Sequence, residues 1–360
     1  MKHLIIYVGL FFLFSDFGHA SNFNKSYADQ TSQDYSSVKN EALKLDKAIK
    51  AFLADTSTDN LISVKSIWTE ARKAYSQTEI HRFYGGPIDD EDGPEGLINA
   101  WPLDEAYIDY VKGKPESGII SMTLKYPNIT KDLLIELNEK DGEANISSGW
   151  HAIEFLLWGQ DFDDFGPGQR PLSDFIIGQN SNASRRRDYL NAASELLVEN
   201  IDQVLIQWNK NDPGSYYNEF LNLPEPEALT KVFTSLTLMS SDELAIERIF
   251  VAYDTQFQED EHSCFSDTTH FDIINNYLGI KNVWNVVLTS TNIQILDSNL
   301  VAKIQSELAS IDLALNKFKP PFDQAIFETG QRAILLSVVE GLQRTGDLFR
   351  DAGLKLGASL

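Results

Sequence analysis

The stretch SGWHAIEFLLWGQD, Ser148 to Asp161, is apolar almost throughout, yet it carries one histidine and one glutamate three residues apart. Bounded by Ser148 and Gly159, it reads as a helix over 147–158. A helix that is apolar on every side belongs in a core. On such a helix His151 and Glu154 share a face, about 5–6 Å apart at Cβ. An imidazole and a carboxylate buried together are costly unless they pair with each other or hold something between them.

The helical period continues on both sides of this stretch, and alternating strand patterns are scarce. Helices are expected at 38–55, 58–84, 102–112, 129–140, 185–209, 226–256, 298–317 and 321–352, which makes the chain all-α. Three long loops, 84–102, 159–175 and 262–272, interrupt the helices. Loops of this length in a compact protein are functional or disordered, and their aromatics, such as Trp101 and Phe265, favour packed loops. The chain of 360 residues is 42% apolar and 23% charged, ordinary for a globular protein. Its net charge of −23 repels nucleic acid and anionic membranes.

The first twenty residues, MKHLIIYVGLFFLFSDFGHA, combine Lys2, an apolar run from Leu4 to Phe14 and small residues before Ser21. This is the pattern of a secretory signal peptide cleaved after Ala20. No later segment is apolar enough to span a membrane. Residues 21–37 are polar and read as a flexible lead-in. A midpoint near 176–186 divides the remainder into an N-terminal helical half, 38–180, and a C-terminal half, 181–355. The single cysteine, Cys264, cannot form an internal disulfide. It is a small buried hydrophobe, a soft ligand or a reactive thiol.

Three constellations carry chemistry. His151 and Glu154 could both reach one divalent cation, or could simply bond each other. The zincin pattern His-Glu-x-x-His is absent, since Ala152 stands where its general base would be. Trp68, Arg72, Tyr75 and Glu79 form a core-facing stripe in which an arginine and a glutamate need partners. The third is the acidic run from Glu243 and Glu247 past Asp254 to Glu261, with Arg248 beside it. There Glu259 and His262 make a Glu-x-x-His pair if the helix persists so far, with Asp260, Asp267 and His270 nearby. The metal-ligand candidates are therefore His151, Glu154, Glu259 and His262. Such donors suit iron, manganese or zinc. Were the protein a hydrolase, Glu259 or Glu261 would be its base. Asp104 and Asp109 are expected at helix ends, and Arg170 is expected to pair with acids of the opposite half.

These segments together resemble the imelysin-like family, and within it the iron-regulated protein A type. The resemblance rests on GWHAIE, on Trp68, Arg72 and Tyr75 before Gly86-Pro87-Ile88-Asp89, on WPLD, WGQD and GPGQRPLSDF, and on EDEHSCFSDTTHFD from Glu259. It spans about 60–355. It implies an all-helical fold of two bundle-like halves with the signature residues at their interface. It also implies export to the periplasm or outer envelope and a link to iron uptake, with a metal ion, a small metal-containing ligand or an envelope iron-transport protein as partner. The founding member of the family is a metallopeptidase, so peptide hydrolysis and non-metal peptide binding are the competing expectations.

Overall fold

The computed structural model describes residues 22–163 and 166–360, and among these no β-strand occurs. The expected signal peptide lies outside the described residues, apart from which no described helix is long and apolar enough to cross a membrane.

The chain opens with α1, Asn22–Ala54. Its buried residues Ala28, Thr31, Tyr35, Val38, Ala42, Leu45, Ile49 and Phe52 alternate three and four apart, a seam that keeps one face against a neighbour. The lead-in expected at 21–37 is therefore corrected: Phe23, Tyr27 and Tyr35 are core residues. Next, α2, Thr58–Ser76, is capped by Ser57, whose hydroxyl accepts from the Asn60 amide. It stops eight residues short of the expected end, and Glu79–His81 forms a separate 3₁₀ turn.

The core helix α3, Gly149–Trp158, is buried at every residue. Gly149 has φ +85°, and a Cβ there would lie 2.4 Å from the Ile98 carbonyl oxygen, so glycine alone allows the helical turn Glu95–Ile98 to close on this helix. Helix α4, Ala183–Gln207, packs beside α1 and α3.

The second set of helices begins with α5, Glu225–Leu238, which runs into a π-helical stretch, Met239–Phe250. π-turns displace side chains from the α register and concentrate at functional sites. Here the wider turn carries Glu243 and Arg248. Helix α6, Thr269–Ser290, is absent from the expectations above, and it contacts α1, α2 and the π stretch. Helices α7, Ser298–Leu315, and α8, Thr329–Leu356, pack with each other, and α8 also lies on α5 and the π stretch. The helices expected at 102–112 and 129–140 shrink to Glu105–Ile108 and Lys131–Leu137.

Candidate functional site

His151 stands at the centre of a buried polar cluster. Its Nδ1 is 2.9 Å from Glu154 Oε2, and its Nε2 faces His262 Nε2 at 3.3 Å. Both imidazoles are buried, and the Trp101 ring lies against them with centroids 4.8 and 6.2 Å away. Glu154 Oε1 accepts from the Ser266 amide at 3.0 Å and its hydroxyl at 2.6 Å. Burial pushes the Glu154 carboxyl up to about 8 against the pull of those Ser266 bonds.

His262 is held from the other side. Its Nδ1 is 3.0 Å from Asp272 Oδ2, which also accepts from the Ser263 hydroxyl. Arg72 Nη2 and Arg248 Nη1 stand 3.1 and 2.6 Å from the same Nδ1. Burial and the Arg248 guanidinium bring His262 down to about 4, and burial with His262 holds His151 well below its usual value. Both rings are therefore neutral at pH 7. Burial opposes ionisation of Asp272, but Arg72 and His262 outweigh it and hold the carboxyl well below the usual range.

The arginines close the network. Arg72 Nε donates to Asp272 Oδ1 at 3.0 Å, and its Nη1 donates to Asn99 Oδ1. Glu79 is 3.8 Å from Arg72, whereas Arg248 donates directly to Glu79 and, at 2.7 Å, to Glu243. Asn99 and Asn276 also donate to Glu79, each at 3.2 Å. Arg82 reaches Glu95 at 3.1 Å and Glu243 at 3.3 Å. Burial raises the Glu243 carboxyl, yet Arg248 and Arg82 bring it down to about 2. Trp68 donates to the Trp150 carbonyl, and Tyr75 packs on Arg72 and Trp150, so this part of the stripe braces the cluster.

A cavity of about 360 Å³ opens onto this cluster at His262, Arg248, Arg82 and Trp101. Its rim carries Glu247, Glu259 and Asp260. The Glu-x-x-His expectation is corrected here: the 3₁₀ turn Gln258–Asp260 ends before Glu261, which is extended at ψ 141°. Glu259 is thus exposed at the mouth while His262 lies at the floor. Glu261 and Asp267 are buried apart from the histidines, in electrostatic contact with Asp323 and, at the edge, Asp161. His270 packs on Phe271 and lines a small apolar recess beside Ile273. Cys264 is a buried free thiol, as the hydrophobe reading expects. Asp104 caps Glu105–Ile108. Asp109 holds Arg170 and Arg186, each at 2.7 Å, and Arg170 also meets Asp174, so its acids lie in its own half.

Asp272, Asn99, Ser263, Ser266, Arg82 and Asn276 join the cluster without having been nominated. Asp272 closes the long signature from Glu259, the one signal that marked it. The donor set fits a metal only in part. Glu154 and Asp272 each face an Nδ1, leaving two Nε2 atoms turned together, and 3.3 Å suits two imidazoles on one tetrahedral cation. Yet Arg248 Nη1 lies 2.8 Å from His262 Nε2. Moreover, among the described residues no three His, Cys, Asp or Glu side chains are placed to hold a metal.

The profile of the imelysin family, peptidase M75, matches residues 31–347. The chain belongs to the imelysin family. A curated relative, iron-regulated protein A of Synechococcus elongatus, is 24% identical over 259 residues, 69% of this chain and 60% of the relative. The chain thus aligns with under two thirds of that protein. Two solved structures share the imelysin fold. An iron-regulated protein A precursor assigned in Parabacteroides distasonis has a TM-score of 0.69 at 15% identity, covering 94% of this chain and 95% of that one. An imelysin-like protein of Psychrobacter arcticum has a TM-score of 0.65 at 14% identity, covering 93% and 96%.

Proposed function

We propose that this imelysin is an exported binding protein linked to iron uptake, which takes a metal on an anionic chelating ligand between its two helical halves. The observation that carries this reading is the pair of facing Nε2 atoms, each ring backed by a carboxylate. On the division at 180, each half supplies one imidazole, one carboxylate behind it or beside it, and one guanidinium: His151, Glu154 and Arg72, then His262, Asp272 and Arg248.

Two imidazoles supply only part of a coordination shell, so the remaining ligands come with the cargo. The guanidiniums argue against a bare ion, because a cation beside Arg72 and Arg248 is repelled. Arg248 and Arg82, which line the cavity, favour carboxylate arms of a chelate through charge-assisted hydrogen bonds. Iron is the expected metal and zinc the alternative. Peptide hydrolysis is less well served: Glu259 sits at the rim, and Glu261 is buried among other acids.

Calorimetry with ferric citrate, ferrous chloride and zinc chloride tests the reading. The expected result is saturable binding of the chelate, weaker binding of either bare ion, and loss of at least about tenfold in affinity for H151A or R248M, one lost charge-assisted contact being of order 1.5–3 kcal/mol. Binding that is absent, or equal in the parent and both variants, overturns it.

A further inference from the structure

On the far side of the 259–265 segment lies a second cavity of about 320 Å³. It shares only Glu259 with the histidine pocket. Three carboxylates, Glu105, Asp161 and Glu259, line it together with the rings of Phe257, Phe265 and Phe327. Its described lining contains no lysine, arginine or histidine.

The segments that carry the rings are held in place. Gln256 adopts φ +55° at the end of Val251–Thr255, and its amide donates to the Ile326 carbonyl at 3.0 Å, which ties the Phe257 and Phe327 segments together. Gln258 donates to Asp161 Oδ2 at 2.6 Å, which fixes the acid opposite. Even so, Phe257 is 64% and Phe327 56% exposed, a large apolar area to leave in water on both sides of an acidic cavity.

The carboxylates have neutral partners. Asp161 takes the Gln258 amide and the Asp163 backbone N–H, and Glu105 takes the Gln160 amide. Behind the wall formed by Cys264 lies Glu261, wholly buried, with neither oxygen in a hydrogen bond of ordinary geometry; burial, Asp323 and Asp267 push its carboxyl well above the usual range, against the pull of the Thr269 hydroxyl. Glu261, Glu105 and Asp161 are all in electrostatic contact with the Cys264 sulfur. The negative field of the cavity therefore comes from Glu105, Asp161 and Glu259, with no internal counter-ion among its described lining.

We infer that this cavity binds an organic ammonium group, drawn by the field of Glu105, Asp161 and Glu259, with its alkyl part against Phe257 and Phe327. A hard metal ion is disfavoured, since it keeps its water and gains little from rings, and no three ligating side chains are placed for one. A weakly hydrated alkylammonium gains from both the acids and the ring faces. Two sources carry this chemistry, a free diamine and the lysine side chain of a peptide.

Titration calorimetry of the purified protein with 1,5-diaminopentane, tetraethylammonium, an end-blocked Gly-Lys-Gly peptide and calcium chloride tests the inference. Saturable binding of the organic cations is expected, weakened about tenfold by F257A/F327A, the loss of two ring faces, and similarly by E105Q. Tighter binding of the diamine than of the peptide assigns a free amine, and the reverse assigns a basic peptide. No saturation by any organic cation, indifference to F257A/F327A, or calcium binding as tight as the amines overturns it. Both substituted rings are exposed, so F257A/F327A folds as the parent does and leaves chelate binding at the histidines unchanged. The two readings therefore fail separately.

Discussion

Asp267 has a left-handed backbone, φ +55°, and a buried carboxyl that burial, Asp323 and Asp161 push up to about 8. An unfolded aspartate titrates near pH ~3.9. Between those values the native chain holds a proton that the unfolded chain releases. That stabilisation is complete below about pH 4 and is lost as pH rises to about 8. Asparagine is neutral throughout and tolerates positive φ. D267N should therefore melt with the parent near about pH 4 and above it near about pH 9. Parallel curves of Tm against pH would contradict this. At this scale the sequence was readable where partners are local: His151 and Glu154 meet within one turn. Arg72 was visible as a buried charge, but its partner Asp272 lies 200 residues away, and only the fold brings them to 3.0 Å. The Glu259–His262 pair failed for a local reason, because one 3₁₀ turn breaks the helical spacing that it required.

Among the elements, α1 shows how composition can hide a pattern. Its first half is rich in Ser, Asn, Asp and Gln, yet Phe23, Tyr27, Ala28, Thr31 and Tyr35 sit at helical spacing on the buried face. The polar residues cover the other side of an amphipathic helix. Tyr27 packs on His81, Trp208 and Phe220, so the start of α1 joins segments far along the chain. Helix α6 was missed beside it, since its buried Asp272, Asn275 and Asn276 interrupt the apolar face with groups that serve the cluster and α2. A chain beginning at Val38 loses three buried aromatics, each worth about 3–5 kcal/mol when truncated to alanine. That approaches the whole stability of a typical domain, ~5–15 kcal/mol. Circular dichroism should show a cooperative melt for the chain from Ser21 and none, or one lowered by tens of degrees, for the chain from Val38. Equal melting would return residues 21–37 to the status of a lead-in.

For the molecule as a whole, the all-helical architecture follows from period alone, whereas convergence of the constellations is a tertiary outcome: α2, α3, α6, the π stretch and Asn99 at the end of the turn Glu95–Ile98 each contribute to one cluster. The net charge of −23 acts on every ligand that approaches it. An anionic chelate must cross a repulsive field and an acidic rim at Glu247, Glu259 and Asp260 before it reaches Arg248 and Arg82. An ammonium ion approaching the cavity at Phe257 is drawn in by the same field. Salt weakens both effects, because the screening length falls from ~30 Å at 0.01 M to ~10 Å at 0.1 M. Stopped-flow association should therefore accelerate with salt for ferric citrate and slow with salt for 1,5-diaminopentane. The sign of each slope depends on charge alone, so it discriminates where affinities do not. If ferric citrate also slows with added salt, the chelate meets a local positive field stronger than the global negative one. The guanidiniums of Arg82 and Arg248 would then have to be turned outward, free of Glu95 and Glu243.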